Sequence, residues 1–523
     1  MKRGRLLEEL RGRAPWDLIV LGGGATGLGT ALDAAARGYR AVAIEAGDFA
    51  RGTSSRSTKL IHGGVRYLAR GEFHLVREAL LERGLLLRNA PHLVHSRSFL
   101  VPCRGPIDAL KYAIGLRLYD YLAGGNNLGR SRWVDRDGAL RLAPTLRPDR
   151  LRGAVIYQDG QFDDSRLAIA LVRTLLDRGG LAVNFAAAVG FLRERGKIAG
   201  VIVRDGETGQ SWEIRGRAVV NAAGVDSDAI RRLDDPSAEP WVRPSRGSHI
   251  VLDRSFLPGE AAILVPRTRD GRVLFVIPWE DRVLVGTTDT PDEGHDPEPR
   301  PDDAEIAYLL EYASQYLTKA PGPGDILSQF AGLRPLLGQG AGLNTARLSR
   351  EHVVRVSESG LVTVLGGKWT TYRTMSADVV DQALRVACLP VRPSVTAGLR
   401  LHGASEDGRH PDFPLYGSDG RAVARIADET AGGGERLDPA LPYREAEVIW
   451  TARYELARRV DDVLARRTRA LLLDARASLR AAPRVAALLA RELGHDEAWQ
   501  REELARFRAL AGGYLPASMR ICE

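Results

Sequence analysis

Cysteine is nearly missing from this 523-residue chain: Cys103, Cys388 and Cys522 stand far apart. Three dispersed thiols exclude a disulfide framework, a CxxC metal site and a cysteine cluster for iron–sulfur chemistry. They fit a reducing compartment. Long apolar runs are missing too, with no stretch of about 18 uncharged apolar residues, so no membrane-spanning helix is expected. The N-terminal MKRGRLLEELRGRAPWDLIV lacks the apolar core of a signal peptide. No DxDxDG loop occurs, which predicts no calcium site, and no other metal site is expected. Dense Lys/Arg runs, internal repeats and long low-complexity tracts are also lacking, so nothing marks a nucleic-acid tail.

What is present reads as an ordinary folded protein. Hydrophobic residues make up 44% and charged residues 27%, enough for a large core, and the length suggests two to four domains. The net charge is +8, carried almost wholly by arginine spread along the chain. Such a field favours anionic partners, although a composition rich in Ala, Arg and Gly accounts for it equally well.

Residues 17–46 read as strand, glycine turn, helix, strand. DLIVL suits a buried parallel strand, GGGATGLG follows, then the helix TALDAAARG and the strand AVAIE. Gly22-x-Gly24-x-x-Gly27 lies between strand and helix. There the first glycine makes the turn, the second lets a pyrophosphate approach the backbone, and the third lets helix pack on strand. Glu45, ending the second strand, is placed to accept the ribose hydroxyls of a dinucleotide. Two further segments favour FAD over NAD. VVNAAG (219–224) ends a strand in small residues at Gly224. LGGKWTTYR sets Gly366-Gly367 before a helix, whose positive end suits the charge on a reduced flavin.

Elsewhere, 72–90 and 107–123 read as helices, and Pro91 and Pro102 as breaks. Strands are expected at 154–158, 198–204, 217–221, 249–253, 273–277, 283–286, 352–356 and 361–365. Those in 249–286 are closely spaced, as in an antiparallel sheet. A Pro/Gly/Asp-rich stretch at 390–440 marks a boundary, and 444–510 is almost wholly helical.

At TSSRSTKLIHGGVRYL (53–68) the pattern becomes specific. Together with DDSRL, GSHIV, VIPWEDRVLVGTTDT, GLRPL, GGKWTTYR and ARYELARRVDDVLARRTRALLLD, it resembles the aerobic FAD-dependent glycerol-3-phosphate dehydrogenases, within the D-amino-acid-oxidase-like flavoproteins. The resemblance implies non-covalent FAD and oxidation of the C2 hydroxyl of sn-glycerol-3-phosphate by hydride transfer to flavin N5. It also implies reoxidation by a membrane quinone. Ser54, Ser55, Ser57, Thr58, Lys59 and His62 would run along the cofactor, with Lys368 and Thr370. Arg66, Arg334 and Lys368 would bind the phosphate, with Tyr67 beside them. His249 would be the base, a role that Lys368 could also fill. The residue chemistry agrees: a phosphate dianion wants several fixed cations, Arg offers a bidentate fork, and imidazole has a suitable pKa.

The expected fold is α/β. It comprises a discontinuous Rossmann-like FAD domain (1–79, 156–235, 323–388), an antiparallel-sheet substrate or cap domain (80–155, 236–322) and a helical C-terminal domain (389–523). The enzyme is expected to be cytoplasmic and peripheral on the inner face of the cell membrane, with a homodimer among the allowed assemblies and no nucleic-acid partner. The 107–123 helix, with Leu110, Tyr112, Ile114, Leu118, Tyr119 and Leu122, would contact lipid, together with arginine-rich faces of the C-terminal helices. Alternatives remain: O2 as acceptor, a same-fold amine or amino-acid oxidoreductase, or a basic FAD-containing binding protein without activity.

Overall fold

A computed structural model describes residues 3–12, 14–68, 71–149, 151–266, 268–269, 272–292, 296–338, 352–405 and 409–519. Cys522 and the side chain of Arg66 lie outside the described structure.

The apolar run Trp16–Leu21 is the centre of the first sheet, paired in parallel with Ser211–Asn221 on one side and Ala41–Ile44 on the other. Leu18, Ile19, Val20 and Leu21 are all buried, as expected where helices cover both faces of a parallel sheet. Each such side chain contributes about 1.5–3 kcal/mol relative to exposure. Leu361–Leu365 extends the sheet beyond Ser211–Asn221, and Leu181–Val183 extends it beyond Ala41–Ile44. The helix Ala25–Ala36 packs against Tyr372–Val386 and Asp164–Asp177. Asp163 caps the latter, accepting a hydrogen bond from Arg166 N.

A second sheet, mostly antiparallel, carries the long pair Val242–Asp253 and Ile326–Leu337. It continues through Arg282–Gly286, Leu274–Trp279, Ala262–Val265, Val94–Cys103 and Gly153–Phe162 to Leu60–Ile61. Three stretches that the sequence places in the nucleotide domain, 60–61, 156–162 and 326–337, lie in strands of this second sheet. Long-range pairing decides this, and no local pattern records it. Pro102, read as a break, lies within Val94–Cys103 opposite Ala154.

The C-terminal region holds the helices Gly420–Glu429, Glu445–Tyr454, Ala475–Leu493 and Glu497–Gly512. Its apolar residues share a core with the second sheet. Buried ion pairs tie it to the first sheet's helices and loops: Asp48 with Arg466 and Arg467, Arg166 with Glu455, Asp164 with Arg469. Removing one partner of such a pair costs about 3–5 kcal/mol, because the other charge stays buried alone.

The helix Pro106–Ala123 is apolar on both faces. Leu116 and Tyr119 enter the core, and Tyr119 Oη donates to Asp159. Tyr119 therefore faces the core, correcting its expected contact with lipid, and Tyr112 and Leu122 also pack on the core. The outer face exposes Ile107, Leu110, Ile114, Leu118 and Tyr121, of which Ile107 and Tyr121 are each 81% exposed. No helix among the described residues is long and apolar enough to cross a membrane.

Candidate functional site

Ligands of open α/β sheets bind beyond the carboxyl ends of the strands. Here the segments leaving three adjacent parallel strands, Gly22–Thr26, Ala222–Asp226 and Gly366–Thr370, line one cavity of about 480 Å³. The Arg51–Thr58 segment and the second sheet close the other sides, the latter with Gly247, His249 and Gly332–Leu336.

The glycines do what the turn requires. Gly22 has φ +119°, and a Cβ there would lie 2.5 Å from the Ala222 carbonyl oxygen. A Cβ on Gly27 would lie 2.0 Å from the Gly22 oxygen. Gly24 is the N-cap of Ala25–Ala36, so the positive end of that helix opens on the cavity. Ser54 Oγ accepts from Ala25 N at 2.9 Å. Glu45 lines the cavity and accepts from Gly23 N at 2.6 Å and Gly47 N at 2.7 Å. Burial raises its pKa against the pull of those amides. A glycine cradle, a helix N-terminus and an acid in one cavity fit a dinucleotide such as FAD.

The opposite wall follows from strand register. Ser245, Gly247 and His249 stand opposite Arg334, Gly332 and Phe330, and alternate residues of a strand share a face. Gly247 and Gly332 let other groups lie close on this face: the Arg334 guanidinium covers Gly247, and Arg56 covers Gly332. Arg334 donates to Thr288 O at 3.0 Å and Thr287 Oγ1 at 3.2 Å, and lies 3.5 Å from Asp289. His249 stacks on Phe330, with centroids 4.8 Å apart, and its Nε2 is 3.0 Å from Thr58 Oγ1. Burial, then the charges of Lys59 and Arg334, hold its pKa well below the usual imidazole value, so it is neutral. Lys368 Nζ lies 3.8 Å above the Tyr67 ring, whose hydroxyl is buried with no hydrogen-bond partner among the described residues. Gly366 and Gly367, at φ +80° and +83°, bring the chain to Lys368 and the short turn Trp369–Thr371.

The cavity thus collects Gly22, Gly24, Glu45, Ser54, Ser57, Thr58, His62, Gly224, His249, Arg334, Gly366, Gly367, Lys368 and Thr370. Gly27 lies beneath the turn. Ser55 and Lys59 are buried behind the wall, where Lys59 Nζ donates to Asp164 at 2.7 Å and to Ser55 O at 2.8 Å. Burial and Arg469 pull the lysine's pKa down to about 7, against the pull of Asp164.

Four contributors escaped the sequence reading. Asp164 and Arg469 brace the 55–59 segment from behind. Arg56 lines the cavity and holds Pro297 O. Trp369 donates to Ser54 O at 3.0 Å. DDSRL held a cap signal for Asp164's helix, but nothing in the sequence paired it with Arg469.

The pattern of the family described as FAD dependent oxidoreductase matches residues 17–373. That of the C-terminal domain of alpha-glycerophosphate oxidase matches 364–500. The chain is 38% identical to the mitochondrial glycerol-3-phosphate dehydrogenase of Mus musculus, over 97% of this chain and 75% of that protein. It is 39% identical to glycerol-3-phosphate dehydrogenase SDP6 of Arabidopsis thaliana, also mitochondrial, over 94% of this chain and 85% of that one. Among solved structures, a glycerol-3-phosphate dehydrogenase of Bacillus halodurans complexed with FAD superposes with a TM-score of 0.81 at 27% identity, covering 98% of both chains.

Proposed function

Because this chain belongs to the FAD-dependent glycerol-3-phosphate dehydrogenases, we propose that it oxidises sn-glycerol-3-phosphate at C2 to dihydroxyacetone phosphate and delivers the electrons to a membrane quinone. The observation that carries the reading is the opposed placement of Arg334 and Lys368 with His249 around one cavity that also holds the dinucleotide cradle. Bound FAD supplies the two-electron acceptor.

The chain's own side chains do the rest. Arg334 and Lys368, with Arg66, anchor the phosphate. Gly247 leaves room for the Arg334 guanidinium to lie against its own strand pair beside the cavity. His249, held neutral by its surroundings, has a ring-nitrogen lone pair for the hydroxyl proton. Two cations facing one cavity exceed what a single amino-acid carboxylate needs, which disfavours an amine substrate.

For the acceptor, the helix Pro106–Ala123 supports a peripheral membrane contact. Lys111 and Arg117 flank its exposed apolar face, the arrangement that suits an anionic lipid surface. The match of residues 364–500 to an oxidase C-terminal domain favours a second reading, with O2 as acceptor. The test is anaerobic bleaching of the flavin by glycerol-3-phosphate, against a panel of amino acids. Reoxidation is then timed with a quinone analogue and with O2. Rapid reoxidation by the quinone alone supports the dehydrogenase reading. Rapid reoxidation by O2 alone supports the oxidase, and no bleaching by the phosphate refutes both.

A further inference from the structure

We propose that Thr58 is a proton relay, its hydroxyl passing the proton of the substrate's C2 hydroxyl to His249 Nε2. The proposal rests on the reading of His249 as the base.

His249 has little access of its own. It is 2% exposed, stacked on Phe330 and backed by Gly286, where a Cβ would fall 2.1 Å from the ring. The imidazole therefore has little room to swing toward a ligand. Thr58, by contrast, is only half-buried and lines the cavity, and its Oγ1 shares the 3.0 Å hydrogen bond with Nε2.

Thr58 is also held more firmly than a cavity wall requires. Asp164 Oδ2 accepts from Ser57 N at 3.0 Å, Ser57 Oγ at 2.7 Å and Lys59 Nζ at 2.7 Å. Its Oδ1 accepts from Arg469 Nη2 at 3.0 Å. Ser55 O takes both Lys59 Nζ and Arg469 Nη2. Both neighbours of Thr58 are thus tied to one fully buried carboxylate. Lys59 is kept at φ +62°, in the left-handed region that a non-glycine residue adopts only under strain. Strain offset by a buried ion cluster next to a catalytic histidine is what pre-organisation of a short relay would look like.

The step balances. The carbinol carbon gives its hydride to the oxidant. The substrate O–H bond breaks and its proton bonds to Thr58 Oγ. The threonine's own proton bonds to Nε2, leaving an imidazolium, and the oxygen electron pair closes the C2=O bond. The imidazolium later returns its proton to water.

Anaerobic stopped-flow bleaching of the holoenzyme, with rates per bound flavin, tests this in Thr58→Val, Thr58→Ser and His249→Ala. Thr58→Val keeps the shape and removes the hydroxyl. It should slow bleaching by about 100-fold, with the apparent substrate Kd changed by less than about threefold. Thr58→Ser should stay within about threefold of wild type, because it keeps the hydroxyl. In mixtures of H2O and D2O, wild type and Thr58→Ser should give a curved proton inventory, with two protons in flight, and Thr58→Val a straight one. A normal rate in Thr58→Val beside a slow His249→Ala would leave the base standing and remove the relay. Equal slowing in Thr58→Val and Thr58→Ser would also overturn it, since the hydroxyl would not be what matters. A normal rate in His249→Ala would remove the base and the relay together.

Discussion

Arg334 shows how much of the site depends on single side chains held in place. Its guanidinium is fixed by Thr287, Thr288 and Asp289, so it meets a phosphate without first being ordered. Arg334→Ala should raise KM for glycerol-3-phosphate by about 10- to 150-fold, the worth of hydrogen bonds to a charged group. Steady-state kinetics should show KM for unphosphorylated glycerol almost unchanged; equal rises for both would remove Arg334 from the phosphate site. His402 is a residue outside the site with a definite pH signature. Burial opposes its charge, but hydrogen bonds to Asp419 and Asp177 outweigh it and raise its pKa above 6.5. A raised folded-state pKa gives stability that is fully present below the unfolded pKa and lost as pH rises through the folded one. His402→Gln should therefore lower Tm more at about pH 5.5 than at about pH 8.5. Thermal melts giving the same drop at both would contradict the ion pairing. At this scale the sequence was readable where chemistry is local, as for Gly22, Gly24 and Gly27. Asp164 and Arg469 were unreadable, since 305 residues separate them and only tertiary packing joins them.

Elements differ in legibility for the same reason. The strand–turn–helix at 16–36 is written in a few neighbouring residues, so pattern and structure coincide. His249 and Arg334 meet only through the register of Val242–Asp253 against Ile326–Leu337, a pairing that no short window contains. The helix Asp303–Tyr316 carried a readable signal that went unused: Asp302 and Glu305 form a capping box. Residues 107–123 read as an amphipathic helix, but in the structure Pro106–Ala123 carries apolar residues on two faces. Which one faces out depends on what packs against it, and Tyr119 turned inward to Asp159. The outer face makes its own prediction. Ile114→Glu places a charge in the middle of the exposed apolar stripe without touching the core. Sedimentation with anionic vesicles should lose most of the bound protein, while bleaching by glycerol-3-phosphate in solution stays normal. Undiminished vesicle binding would move the membrane contact elsewhere.

As a whole molecule, the protein works as an assembly in which no one layer holds the site. The first sheet supplies the dinucleotide cradle, the second sheet His249 and Arg334, and the C-terminal region the arginines that clamp Asp48 and Asp164 from behind. The C-terminal region is thereby part of the active site's foundation. The fold class was legible because its signals are repeated along the chain. The junctions were not, because only long-range pairing places strands 153–162 and 326–337 in the second sheet. The central claim is that one cavity sets a phosphorylated secondary alcohol against a flavin. Mixing the yellow holoenzyme anaerobically with sn-glycerol-3-phosphate tests it most directly. The account predicts full bleaching of the flavin absorbance and one equivalent of dihydroxyacetone phosphate per flavin. An unchanged spectrum at saturating substrate would contradict it.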